Sequence, residues 1–127
     1  MKLRIKGQSI RLRLLRSEVT GLLDNGLIEE TIYLGPGDQS AFTYALAIDS
    51  GLGETELRYE PSKMVIALPK AKAISWAETN QIGIYTAVGI ERNENLDLIV
   101  EKDFACLDLS DADNLDTFPN PELEGFC

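Results

Sequence analysis

Laid over itself at an offset of 54 residues, this chain repeats its own pattern. The stretch KLRIKGQSIRLRLLRSEVTGLLDNGLIEETIYLG falls on ELRYEPSKMVIALPKAKAISWAETNQIGIYTAVG. Leu3, Arg4, Leu14, Ile28 and Gly35 meet Leu57, Arg58, Leu68, Ile82 and Gly89, and further on Asp49 meets Asp103. Identities are sparse, but strand patterns fall on strand patterns and turns on turns. A unit used twice at a fixed spacing shelters its apolar face against its own copy. No other feature narrows the possible folds as far.

Each copy reads as strand, strand, helix, strand, strand. In the first, Leu3 and Ile5 alternate with Lys2, Arg4 and Lys6, Gly7-Gln8-Ser9 turns the chain, and Ile10, Leu12 and Leu14 alternate with Arg11 and Arg13. A period of two puts apolar side chains on one face of a half-buried strand. Ser17 is placed to cap a helix, with Glu18 favourable in its first turn. Val19, Leu22, Leu23 and Leu27 recur at helical spacing, and Asn25-Gly26 offers a left-handed stop. Strands over 28–34 and 41–48 follow, joined by Gly35-Pro36-Gly37-Asp38. In the second copy Leu57 and Tyr59, then Met64, Ile66 and Leu68, take the apolar positions. Pro69 suits a first helical turn, where its missing N–H costs nothing. The helix PKAKAISWAET and strands near 82–90 and 96–104 complete the unit.

The expected fold is α+β: two pseudo-symmetric ββαββ repeats, 1–50 and 55–104, forming a mainly antiparallel sheet or barrel with two helices. The pattern leaves open one barrel-like sheet or two packed sheets. The length, 127 residues, fits a single domain spanning 1–127. An acidic tail, 107–127, has no base from residue 108 onward. Its Phe118, Pro119, Pro121, Leu123 and Phe126 mark it as a C-terminal strap that docks on the domain rather than a solvated extension.

Charge and composition exclude several roles. A net charge of −9 repels phosphate backbones and argues against nucleic-acid binding. No apolar run approaches the roughly 18 residues of a membrane helix. The basic start interrupts its apolar residues at every second position, unlike a signal peptide, so a cytoplasmic location is expected. With no histidine, the chain has no Ser-His-Asp or Cys-His catalysis and no imidazole metal ligand.

The positive residues are unevenly placed. Lys2, Arg4, Lys6, Arg11, Arg13 and Arg16 all precede the first acid, Glu18. If strands 2–6 and 10–14 pair, Arg4, Lys6, Arg11 and Arg13 share a face, and forked guanidinium groups match phosphate and carboxylate oxygens. These four are the candidate anion-binding residues. The competing reading is a face wetted by water or covered by the chain's own acidic end.

Cys106 and Cys127 are the candidate thiol or metal residues. They stand without a C-x-x-C motif, and two thiols fall short of the four ligands of a closed zinc site unless a homodimer supplies the others. Cys106 also reads as a small buried hydrophobe beside Phe104. Asp111, Asp113 and Glu122 have calcium-loop spacing, but Leu115 and Asp116 stand where a ligand and a glycine are needed. No cofactor is expected. Trp76, among alanines, reads as core, and Glu29-Glu30 as a strand edge.

The duplicated β-rich plan is similar to that of the triphosphate tunnel enzymes. Their first strand carries E-x-E-x-K, whereas this one is KLRIK with no acid, so no residue is carried over. WAETNQIGI and EKDFACL…FPNPELEGFC resemble a family of small uncharacterised bacterial proteins with a tryptophan helix, a following Gly-Ile strand and K-D-F-x-C-L near the C-terminus. That resemblance implies a small bacterial domain without assigned activity. The expectation is therefore a binding or interaction domain, not an enzyme, whose partner is another protein or a small anionic ligand. The alternative is a barrel-like protein that binds or acts on a phosphorylated or other anionic small molecule through the basic face.

Overall fold

The computed structural model describes residues 1–104 and 116–119. Along the chain run β1 (Lys2–Lys6), β2 (Ser9–Leu14), α1 (Arg16–Asn25), β3 (Leu27–Tyr33), a 3-10 turn (Asp38–Ser40), β4 (Ala41–Asp49), β5 (Glu56–Glu60), β6 (Lys63–Pro69), α2 (Lys70–Glu78), β7 (Gly83–Ile90) and β8 (Glu94–Lys102). The ββαββ order therefore occurs twice.

The two halves are interleaved. Each sends its first hairpin to one sheet and its second to the other. Sheet A runs β1-β2-β8-β7 and sheet B runs β3-β4-β6-β5. The hairpins are antiparallel, while the seams between halves, β2 with β8 and β4 with β6, are parallel. The result is two open mixed sheets rather than a closed barrel, so the barrel alternative is not the one formed.

The seams obey the repeat. Ser9 stands opposite Asp97, and adding 54 to the first and removing 54 from the second gives Lys63 opposite Thr43, the observed pair. The last hairpin departs from it. Ala47 pairs with Leu27, but its counterpart Glu101 pairs with Gly83 rather than Gln81. The second half thus holds a two-residue insertion between α2 and β7. The ungapped match of Ile28 with Ile82 and of Gly35 with Gly89 is therefore coincidental: these residues do not occupy equivalent places.

Between the sheets lie Ile10, Leu12, Leu14, Leu46, Met64, Ile66, Leu68, Ile84, Leu98 and Val100, with Val19 and Leu22 of α1 and Ala73 and Trp76 of α2. Ile10, Leu12, Leu14, Met64, Ile66 and Leu68 are inward positions that alternation assigned, whereas Ile5 and Tyr59, assigned in the same way, are 62% and 78% exposed. Burying apolar area at about 25 cal/mol per Å² is the main force closing such a core. Trp76 is fully buried, and its indole N–H donates to the Ile82 carbonyl at 3.0 Å. A buried Trp needs such a partner.

The caps differ from expectation at one end. Gly26 ends α1 at φ 74°, and its N–H donates to Leu22 O at 2.8 Å, as the Asn-Gly signal implied. At the start, Leu15 rather than Ser17 is the cap residue, and it has no side-chain acceptor. Glu18 turns back instead to accept the Leu15 N–H at 2.9 Å. Ser17 sits inside the first turn, where its backbone N–H donates to Asp116 Oδ1 at 3.1 Å and its hydroxyl bonds Asp116 Oδ2. Arg16 N–H donates to the Asp116 carbonyl at 2.9 Å. A residue from the far end of the chain thus does the work of an N-cap.

The next residues stay on the domain. Phe118 bridges to Phe104 in parallel, its N–H donating to Asp103 O at 2.8 Å. The two rings meet edge to face at 6.2 Å, and Lys102 Nζ lies 5.3 Å from the Phe118 centroid. This short strap matches the aromatic docking expected of the tail. Pro121, Leu123 and Phe126 lie outside the described residues, as do Cys106 and Cys127.

Candidate functional site

The outer face of sheet A gathers the basic residues. In β1 and β2, Lys2 stands opposite Arg13, Arg4 opposite Arg11 and Lys6 opposite Ser9, all on one side. Leu3, Ile5, Ile10 and Leu12 take the other side. β8 joins beside β2 with Asp97, Ile99 and Glu101 on the same outer face, in register with Ser9, Arg11 and Arg13. β7 adds Tyr85, opposite Ile99.

Charge is then divided within the face. Arg11 Nε lies 3.1 Å and Arg13 Nε 3.8 Å from Glu101 Oε1, and Glu101 Oε2 accepts the Tyr85 hydroxyl at 2.8 Å. Partial burial, the hydrogen bond to Glu101 and the negative charge of that residue push the Tyr85 hydroxyl up to about 12. Lys2 pairs with Asp103 at 3.0 Å. Arg4 and Lys6 have no ion-pair partner among the described residues. With Arg11 and Ser9 they line a shallow depression of about 150 Å³. Ser9 Oγ donates to Lys6 O at 2.7 Å, fixing the rim of the turn.

Arg4, Lys6 and Arg11 are therefore brought around one spot. Arg13 lies one row away, beside Glu101. Glu101 is the residue that sequence reasoning missed, because its effect depends on β8 lying parallel to β2, a pairing between residues far apart in the chain.

A second polar cluster lies where α1 meets sheet B. The amine of Met1 bonds Glu18 Oε2 and donates to Glu30 Oε1 at 3.0 Å. Glu30 Oε2 accepts the Tyr44 hydroxyl at 2.5 Å, and that hydroxyl also reaches Met1 O at 3.3 Å. Burial opposes the charge on the amine, but the hydrogen bonds and charges of Glu18 and Glu30 outweigh it and its pKa is raised. Burial works against the Glu30 carboxylate too. The Tyr44 hydroxyl and the amine outweigh it and hold its pKa below the usual value. The hydrogen bond to Glu30, burial and nearby negative charge push Tyr44 up to about 12. Glu30 is thus a partner of the amine rather than a solvated strand edge, while Glu29 pairs with Lys63 at 3.5 Å. Every polar group of this cluster is satisfied internally, which marks it as structural.

An apolar groove of about 420 Å³ between the helices is lined by Leu23, Ile48, Lys70, Ile74 and Glu78. Among the described residues no group of three or more Cys, Asp or Glu side chains is placed to hold a metal ion. No helix among them is long and apolar enough to cross a membrane.

The fold and this face define a small duplicated α+β domain with a charged open sheet. The chain belongs to DUF7009, a family of unknown function whose model matches residues 1–122. No curated protein and no solved structure matches it.

Proposed function

We propose that this protein is a non-catalytic binding module that takes an anionic group on the open face of sheet A. The observation that carries the reading is the pair Arg4 and Lys6. They stand without counter-ions among the described residues, beside Arg11 and Ser9, in a chain whose net charge is −9. Unneutralised cations held together on an acidic protein are kept against the average field, and guanidinium forks match phosphate and carboxylate oxygens. Size suits this spot to a single anionic group. Pockets that enclose a small-molecule substrate run to about 300–1,000 Å³. A depression of about 150 Å³ seats one anionic group and leaves the rest of its bearer in solvent.

Thermal melting with inorganic phosphate and with tripolyphosphate, at matched ionic strength in chloride, tests this. The melting temperature should rise with tripolyphosphate, and the rise should vanish in an Arg4→Ala, Lys6→Ala double variant. Equal melting in all three salts would end the proposal.

A further inference from the structure

Among the described residues four strands lie at sheet edges: β1 and β7 in sheet A, β3 and β5 in sheet B. An edge offers a row of backbone N–H and C=O groups to any other strand, and proteins guard such edges with charge, proline or bulges. Three of the four are guarded. β1 is KLRIK, β5 is ELRYE and β3 is LIEETIY. Each carries two or more charged residues, and β1 paired with itself sets like charges side by side in every register that pairs its charged faces. β7 is GIYTAVGI, with no charged residue and no proline. It exposes Tyr85, Ala87 and Gly89 along its outer positions, and Tyr85 is 59% exposed.

The strand is also nearly self-complementary. About Thr86, Gly83 mirrors Gly89, Ile84 mirrors Val88 and Tyr85 mirrors Ala87. In an antiparallel pair centred there, each large side chain meets a smaller one, and the two Thr86 residues face each other on the axis. The backbone agrees with this register. Ile82 C=O accepts the Lys102 N–H on the β8 side. Strand alternation therefore turns the N–H and C=O of Tyr85, Ala87 and Gly89 toward the open edge. In the proposed register Tyr85 and Ala87 of opposite copies exchange those bonds.

We infer that β7 pairs antiparallel with β7 of a second copy, joining two A sheets into one of eight strands about a two-fold axis at Thr86. Such an isologous contact needs a surface complementary to itself, and among the four edges β7 alone supplies one free of charged residues. The contact leaves the outer face at Arg4 and Lys6 open on both copies, since β1 lies at the far edge of the sheet.

Size-exclusion chromatography with light scattering on the full chain should return twice the 14.0 kDa chain mass. Ala87→Lys, which places a cation on the axis-proximal edge, should give a monomer with an unchanged far-UV spectrum. Thr31→Lys on β3 should leave the dimer intact. A covalent test does not depend on either. With Cys106 and Cys127 replaced by Ala, Thr86→Cys should form a disulfide-linked dimer on mild oxidation, because non-hydrogen-bonded antiparallel partners lie about 4.5 Å apart at Cα, within disulfide reach. A wild-type monomer at every concentration, a dimer that survives Ala87→Lys, or no cross-link in the oxidised Thr86→Cys variant would each overturn the inference.

Discussion

Asp116 caps a helix that begins 100 residues earlier in the chain, at Arg16. Its carboxylate accepts the Ser17 N–H at 3.1 Å, across a separation of 99 residues, and its carbonyl accepts the Arg16 N–H at 2.9 Å. Helix α1 has no side-chain acceptor of its own at Leu15, so the strap supplies what the local sequence omits.

Asp116→Ala should therefore destabilise the whole domain, not just the tail. N-cap replacements cost about 0.5–2 kcal/mol, and urea unfolding should show a loss of that size. Asp116→Asn, which keeps an acceptor, should recover most of it. Equal stability of wild type and Asp116→Ala would mean that the contact contributes nothing.

Two glycines separate two causes of intolerance. Gly26 sits at φ 74° with open space where a Cβ would stand, so Gly26→Ala meets only a conformational cost of about 1–2 kcal/mol. At Gly83 a Cβ would lie 2.8 Å from the backbone oxygen of Val100, and the β7–β8 hairpin must shift to admit it. Overpacking of that kind costs about 1–3 kcal/mol. Equilibrium unfolding should rank Gly83→Ala as at least as damaging as Gly26→Ala, and Gly26→Asn as milder than Gly26→Ala.

Trp76 fixes α2 to the core and to the loop before β7. Trp76→Ala empties a fully buried site and removes one of the two hydrogen bonds to the Ile82 carbonyl, with an expected cost of about 3–5 kcal/mol. Trp76→Phe should cost less by retaining most of the ring, though the indole hydrogen bond is lost. Thermal melts of the two variants, read by far-UV circular dichroism, should fall in that order.

The cluster at Met1 makes stability depend on pH in both directions. The amine has a folded pKa raised above its ordinary 8.0, so its contribution is full below pH 8 and is lost as pH rises through the higher folded value. Glu30 is depressed below 4.5, so its contribution holds above pH 4.5 and is lost as pH falls through the lower value. Tyr44, at about 12 in the fold against 10.0, loses its share between those limits. The cluster's contribution should therefore be full between about pH 4.5 and 8 and fall in both directions. Glu30→Gln should flatten both slopes in urea titrations across pH; unchanged slopes would show that the cluster is not coupled to folding.

Local patterns could be read in advance, but long-range neighbours could not. Alternation at Leu3, Ile5, Ile10, Leu12 and Leu14 placed β1 and β2 with the correct inner face, and with it the outward set Arg4, Lys6, Arg11 and Arg13. The Asn25-Gly26 stop and the buried Trp76 were legible for the same reason, since each depends on its own neighbourhood. The parallel seams were not. An alternating strand looks the same whether its neighbour is its own repeat's second hairpin or the other repeat's, so nothing in β2 announced β8. That gap hid Glu101 as counter-ion to Arg11 and Arg13. The Asp116 cap was hidden in the same way, while Ser17, a reasonable cap by residue type, lay two positions too late. The insertion before β7 escaped an ungapped comparison because a shift of two residues preserves the inward and outward faces of a strand.

The interleaving of the halves has a consequence for the loop between Asp49 and Glu56. Neither repeat owns a sheet: each completes its hydrogen-bonded seam only with the other. The loop is then a tether, and short flexible tethers hold their ends at effective concentrations in the millimolar range. What a lone ββαββ unit would have to achieve by meeting its twin in solution, this chain achieves by covalent leash, so its assembly becomes independent of dilution.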